Sequence, residues 1–409
     1  MAFDPSRRLF LKGAGLAALG IGLGPSPLLM RTARAAGQGT RSLVHVFLRG
    51  GADGLSMAVP YADPLYYEAR GAIALPKPGQ EGGVVRLDDS FALHPGFAPL
   101  KPLYDDGRLA IVHGVGNYGV SRSHFSAQDF VELGTPGVAT TATGLLERMS
   151  ARLEGGGVTK SVAFSTQRPL SYLGPDPVLV AMNIASFDLS ARGWQPEAER
   201  LLKDMYAGAK PALARVGADV FEAISLLRTT PELKAGPAKG ASYPEGGIGN
   251  ALRQAAQVLK AGLGTRTIFV NGGGDFDTHS AQVASNAEDF DKLGKALAAF
   301  DLDLDAKRDE VVVLVTTEFG RTLRANGALG TDHGSGYCAF VLGGRVKGGR
   351  IHGRWPGLEI ANLYEERDLA VTTDFRDLFA ELAIGHLGIA DTKELFPDYA
   401  PAPRVGLLG

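Results

Sequence analysis

Seven residues able to hold a cation, Asp53, His124, Asp277, His279, Glu318, Asp332 and His333, fall in segments that read as loops. Most of those loops follow an apolar run of strand length. Asp277 and His279 are two apart, so in an extended segment both side chains project to the same side and share one cation. Asp332 and His333 lie between Gly330 and Gly334, where a flexible turn is free to aim either of them inward. Carboxylate and imidazole together, without thiolate, suit zinc, manganese or iron better than calcium. Each piece also has a plainer reading. Asp277 with His279 reads equally as a hydrogen-bonded structural pair, Glu318 as a partner of Arg321, and His333 as an exposed turn histidine. The plainer readings must still explain why several such residues gather at one end of one sheet. The remaining histidines, His45, His94, His113, His352 and His386, read as structural, several of them lying inside strand or helix patterns.

The elements that must position these residues are legible as apolar runs. Leu43 to Leu48, Leu109 to Val115, Thr267 to Asn271, Val311 to Thr317 and Ala339 to Leu342 read as strands. The fourth is the clearest, with β-branched residues everywhere except Leu314. Helices are expected over Pro196 to Ala207, Ala212 to Leu227, Gly249 to Ala261, Ala281 to Asp303 and Asp374 to Leu387, and Ser126 to Asp129 has the spacing of a capping box. Strands alternating with helices predict an α/β fold with a mostly parallel sheet covered on both faces. Ligands bind such sheets at the carboxyl edge, where four or five of these loops would converge. The stretch 155–247 reads as an insertion or an edge extension, with a turn-rich linker from Pro231 to Gly247.

With 42 Lys and Arg against 44 Asp and Glu and 45% hydrophobic residues, the chain of 409 residues has the balance of a folded protein. A net charge of −2 without a basic stripe argues against a nucleic-acid partner. Ser6-Arg7-Arg8-Leu9-Phe10-Leu11-Lys12, an apolar stretch from Ala14 to Met30 and Ala33-Arg34-Ala35 together read as a twin-arginine signal peptide over residues 1–35, with the export machinery as a partner and a periplasmic or secreted destination. Gly24, Pro25 and Pro27 interrupt the apolar stretch, so a retained membrane anchor is the lesser reading. The mature chain, 36–409, is expected as one domain without a stable membrane span. The lone Cys338 forms no intramolecular disulfide, so stability rests on the core.

Phe47 to Gly54, Ser121-Arg122-Ser123-His124-Phe125 with Gln128 and Asp129, Asp277-Thr278-His279, Thr317 to Thr322 and Thr331 to Gly334 together resemble the bacterial family called domain of unknown function 1501. The likeness runs from about Ser42 to the C-terminus. That family is grouped with the alkaline phosphatase and sulfatase superfamily. The resemblance therefore implies a three-layer α/β/α sandwich and a divalent metal, zinc or manganese, as one or two ions. It implies metal ligands at Asp53, Asp277, His279, Glu318, Asp332 and His333. Two departures stand out: Phe319 occupies the place of a ligand histidine, and only one residue separates Asp277 from His279.

The resemblance further implies hydrolysis of phosphate or sulfate esters. The chain offers Ser121 or Ser123 as nucleophile, His124 as a ligand or general base, and Arg122 to hold the non-bridging oxygens. The two serines read as well as N-caps. Arg49 and Arg321 are further cations for an anionic ester, with surface ion pairing the plainer reading. The substrate partner would be a small or polymer-linked anionic ester. The alternative is an exported metal- or glycan-binding envelope protein of the same fold that turns nothing over.

Overall fold

The computed structural model describes residues 41–117, 121–155, 157–184, 187–188, 195–402 and 404–409. The expected signal peptide lies outside these residues. Strands β1 (Ser42–Leu48), β2 (Ala58–Val59), β3 (Val85–Arg86), β4 (Ala92–Leu93), β5 (Leu109–Gly116), β6 (Ser161–Phe164), β7 (Leu179–Val180), β8 (Thr267–Asn271), β9 (Val311–Thr317), β10 (Tyr337–Leu342), β11 (Arg350–His352) and β12 (Thr373–Asp374) follow in chain order. The main sheet has the order β11-β5-β10-β9-β1-β8-β6-β7, with β12 also pairing β5. Pairings from β9 through β1, β8 and β6 to β7 are parallel. β10 runs antiparallel to both neighbours. That single reversal sets β5 parallel to β9, so β5, β9, β1 and β8 deliver their carboxyl ends to one edge. A short sheet of β2, β4 and β3 packs separately.

Alternation along the strands explains how both faces are covered. Val44, Val46 and Leu48 of β1 join Val311, Val313 and Val315 of β9 in one core, capped by Gly247–Lys260 and Gln282–Leu304. Leu43 and Phe47 face the other way with Val312 and Leu314, packing on Leu145–Ala151 and Phe375–Leu382. The result is a mixed α/β protein with a mostly parallel central sheet, compatible with an α/β sandwich. β6 and β7 lie within 155–247 and extend the sheet beyond β8. Among the described residues no helix is long and apolar enough to cross a membrane.

Most of the strands and helices expected from the sequence fall within two residues of their expected bounds, while the short strands β2, β3, β4, β6, β7, β11 and β12 carry no such expectation. One departs instructively: the helix expected near Ser126 begins at His124, with Ser123 as its N-cap residue, and runs to Leu133. Ser126 therefore lies inside the first turn, and the capping-box spacing is incidental. The earlier start places His124 at the head of a helix, beside the carboxyl edge of β5.

Candidate metal centre

Four loops supply the site. The turn after β1 carries Gly50 and Gly51, and the segment after β5 ends in Ser121 to His124. The loop after β8 carries Asp277 and His279, and the long connection from β9 to β10 carries Glu318, Arg321, Asp332 and His333. That connection folds back tightly on its neighbours. A Cβ at Gly330 would sit 2.2 Å from the His279 carbonyl carbon, and one at Gly334 would sit 2.4 Å from that of Arg321. Glycine at these two positions lets the backbone approach closely enough to bring His333 to the loop after β8.

Three imidazoles and one carboxylate then meet. Nε2 of His333 lies 2.9 Å from Nε2 of His124 and 3.0 Å from Nε2 of His279. Oδ1 of Asp277 is 3.1 Å from Nε2 of both His279 and His333, and its Oδ2 is 3.3 Å from Nε2 of His124. Each outer ring nitrogen faces an atom that only accepts: Nδ1 of His124 meets Oε1 of Glu318 at 2.7 Å, Nδ1 of His279 meets Oδ1 of Asp332 at 3.0 Å, and Nδ1 of His333 meets the Arg122 carbonyl at 2.7 Å. A carboxylate or carbonyl accepts only from N–H, so each Nδ1 donates outward and the three Nε2 atoms are left to face one another and the Asp277 carboxylate. Lone pairs facing one another at these distances repel unless a proton or a cation lies between them. Tying the outer nitrogen of a histidine to a carboxylate or carbonyl is the usual way a protein orients a metal ligand.

Size agrees with that reading. Ligand bonds of about 2.0–2.1 Å in a tetrahedron place neighbouring donor atoms about 3.3 Å apart. The donor contacts here, 2.9 to 3.3 Å, need only slight opening to accept such an ion. Ligand atoms of His124, Asp277 and His333 all fall within 4.8 Å of one another, and His279 lies beside this group with its Nε2 3.0 Å from that of His333 and 3.1 Å from Oδ1 of Asp277. Three nitrogens and one oxygen without thiolate are a donor set for zinc, manganese or iron.

Electrostatics favour the charged carboxylate. Burial opposes ionisation of Asp277, but hydrogen bonding and charge from Arg321, with help from His333 and His124, hold its pKa at about 2. Burial likewise works against Glu318, and hydrogen bonds from His124, Gln128 and the Gly50 N–H keep its pKa below the ordinary carboxylate value. Glu318 in turn raises the pKa of His124. Desolvation lowers that of His333.

The structure sorts the sequence candidates. Asp277, His279 and His333 stand at the centre with His124. Glu318 does not reach the centre as a ligand, because Oε1 accepts from Gly50 N, His124 and Gln128 while Oε2 accepts from Thr317 Oγ1. Asp332 orients His279 from outside. Asp53 lies apart, its two oxygens held by Arg70, Ser56, Gln282 and the Leu55 N–H in a buried network. The Arg122 guanidinium is engaged by Glu365 at 2.6 Å and Asp368 at 2.8 Å, and it is the Arg122 carbonyl that serves the site. Ser121 Oγ accepts from Ser123 N at 3.0 Å, and Ser123 makes no side-chain cap bond although it is the N-cap residue.

Arg321 is not a surface cation. It is buried, and it donates to the carbonyls of Gly50, Gly51, Phe276 and Thr331 as well as to Oδ1 of Asp277, so one side chain fastens three of the converging loops. Gln282, which had no sequence signal, accepts from Thr278 and Thr331 and donates to Asp53 beneath the site. Gln128, in the sequence only a member of a motif, bridges Arg49 and Glu318. Phe319 lays its ring 4.8 Å from that of His124 and 4.9 Å from that of His333, making one wall of the centre apolar. Beyond that wall a cavity of about 310 Å³ opens, lined in part by Ser121, Glu318, Phe319 and Ser335.

Fold and site define a mixed α/β protein with a candidate cation centre at the carboxyl edge of a mostly parallel sheet. The chain belongs to the family described as "Protein of unknown function (DUF1501)", whose match covers residues 186–397. That span includes Asp277, His279, Glu318, Asp332 and His333, while His124 and Asp53 precede it. No curated protein matches the chain.

Proposed function

We propose that the chain is an exported, metal-dependent hydrolase of phosphate or sulfate esters with an alkaline phosphatase-like α/β/α fold. The observation that carries the reading is the convergence of three histidine Nε2 atoms on Asp277, each ring having its Nδ1 tied outward. A divalent ion held by His124, Asp277, His279 and His333 supplies Lewis acidity toward an anionic ester and makes a nucleophile available at neutral pH. Zinc and manganese fit the donors, and the apolar face of Phe319 favours one ion over two. Ser121 lines the cavity beside the centre and is the better placed of the two serines to meet substrate. Glu318, Asp332 and the Arg122 carbonyl hold the rings in place, and Arg321 holds the Asp277 carboxylate ionised.

A second reading, an envelope protein that binds a metal or glycan without turnover, draws support from the surroundings of Ser121. Its Oγ accepts from Ser123 N, and no basic side chain hydrogen-bonds to it among the described residues. One experiment separates the two readings. Metal content of the folded mature chain is measured by mass spectrometry, and aryl phosphate and aryl sulfate are offered to the loaded protein. One equivalent of zinc or manganese with metal-dependent turnover, both abolished in Asp277→Ala/His279→Ala, is the expected result. Bound metal without turnover supports the envelope reading, and no bound ion sinks the hydrolase reading and the metal-binding form of the envelope reading. Export is checked by fractionating cells that carry Arg7→Lys/Arg8→Lys, which should retain the chain in the cytoplasm.

A further inference from the structure

The cavity beside the metal centre has walls whose chemistry narrows what it takes. Arg122 sits between Glu365 and Asp368, and Arg367 binds the far oxygen of Asp368 at 2.9 Å. Two guanidinium groups therefore face two carboxylates, and no positive charge is left over. Glu318, on the same wall, adds a third carboxylate, hydrogen-bonded by Nδ1 of His124 and the Gln128 amide. A second phosphate or sulfate entering here would meet carboxylates at close range without a cation of its own.

Uncharged polar groups fare differently. The half-buried Asn117 amide has no hydrogen-bond partner among the described residues. Ser121 Oγ accepts from Ser123 N and keeps its proton uncommitted, while Ser335 Oγ donates to Asp368 at 2.9 Å and keeps its lone pairs. Amide and hydroxyls thus present both donors and acceptors to the space, beside the aromatic ring of Tyr364. A volume of about 310 Å³ is at the small end for a ligand pocket and admits a group the size of one sugar ring.

We propose that this cavity is the subsite for the organic part of the ester, and that it selects an uncharged, hydroxyl-bearing group, such as a sugar ring, against groups carrying a second anion. The proposal rests on the hydrolase reading for turnover, but binding at the subsite is testable without it. Saturation-transfer NMR on the metal-loaded full chain, with methyl glucoside as probe, should give a signal that Asn117→Ala and Ser335→Ala each weaken. In turnover, a hexose 6-phosphate or 6-sulfate should exceed hexose 1,6-bisphosphate by tenfold or more in kcat/KM. Each alanine variant should lower the preference for the hexose monoester over an aryl ester by about tenfold, the effect of one missing hydrogen bond.

The outcomes separate cleanly. A glucoside signal that both variants weaken, with no ester hydrolysed, overturns the hydrolase reading and leaves the subsite standing. Ester hydrolysis with bisphosphate preferred, or with no glucoside signal and an unaltered preference in both variants, overturns the subsite and leaves the hydrolase standing.

Discussion

Three core histidines and the histidines at the sheet's edge use opposite nitrogens. In the core, His113 engages the Ala58 carbonyl through Nε2 at 2.8 Å, His386 the Ser42 carbonyl at 3.0 Å, and His45 the Thr316 hydroxyl at 2.8 Å, while Nδ1 of each is buried without a partner. At the edge, His124, His279 and His333 bind outward through Nδ1 and turn Nε2 toward one another. Burial drives the core rings neutral, lowering the pKa of His45 to about 3 and of His113 and His386 to about 4. At the edge, the Glu318 carboxylate raises the pKa of His124, whereas desolvation lowers that of His333, so what the three edge rings share is their orientation. The difference lies in which nitrogen each ring leaves free and what that nitrogen meets: at the edge, three free Nε2 atoms meet one another and Asp277, and in the core each free Nδ1 of these three rings meets no hydrogen-bond partner.

The comparison breaks most severely at Arg321, because the order of the edge depends on a buried cation beneath it. Arg321→Ala leaves the carbonyls of Gly50, Gly51 and Thr331 without a donor, that of Phe276 with only the Thr278 N–H, and Asp277 without its strongest partner. Urea unfolding should show a loss of about 3–5 kcal/mol, the cost of removing one partner from a buried charged network. A change within about ±0.5 kcal/mol, the range of an ordinary surface substitution, would mean that the loops hold their places without it.

How much of this was legible follows from the same contrast. The strands β1, β5, β8 and β9 announce themselves because burial on both faces demands continuous apolar runs. Their carboxyl ends then point to Asp277, His279 and His333 before any geometry is known. Glu318 and Asp53 are harder to place, since a carboxylate after a strand has the same sequence appearance whether it touches an ion, orients a histidine or pairs with a buried arginine such as Arg70. The contribution of Arg122 is a carbonyl and has no side-chain signature. Ser123 stands at the N-cap, one of the two readings its sequence allows, although its side chain makes no cap bond.

A sharper test addresses the orienting carboxylate. Glu318 faces His124 from a fully buried position, so Glu318→Gln keeps shape and removes the charge that makes His124 a strong donor. Removing such an outer partner typically weakens metal affinity about 10- to 100-fold. Competition against a chelator of known strength should read that shift in zinc binding. Unchanged affinity would place His124 outside the ligand set and leave the centre to Asp277, His279 and His333.

The core side of the comparison predicts acid sensitivity. His113 has a folded pKa of about 4, lowered first by desolvation, with the Ala58 carbonyl and Asp53 opposing. An unfolded histidine titrates near about 6.5. Between those values the unfolded chain takes up a proton that the folded chain refuses, so the stabilisation by neutral His113 is complete above about pH 6.5 and declines as pH falls toward about 4. One such group contributes a slope of at most about 1.4 kcal/mol per pH unit. His113→Gln retains a donor for the Ala58 carbonyl and does not titrate, so urea unfolding of metal-free protein at about pH 7, 6 and 5 should show a slope shallower by about that amount. Equal slopes in wild type and variant would mean that His113 is protonated in the folded core, and the division between core and edge would then lie in geometry alone.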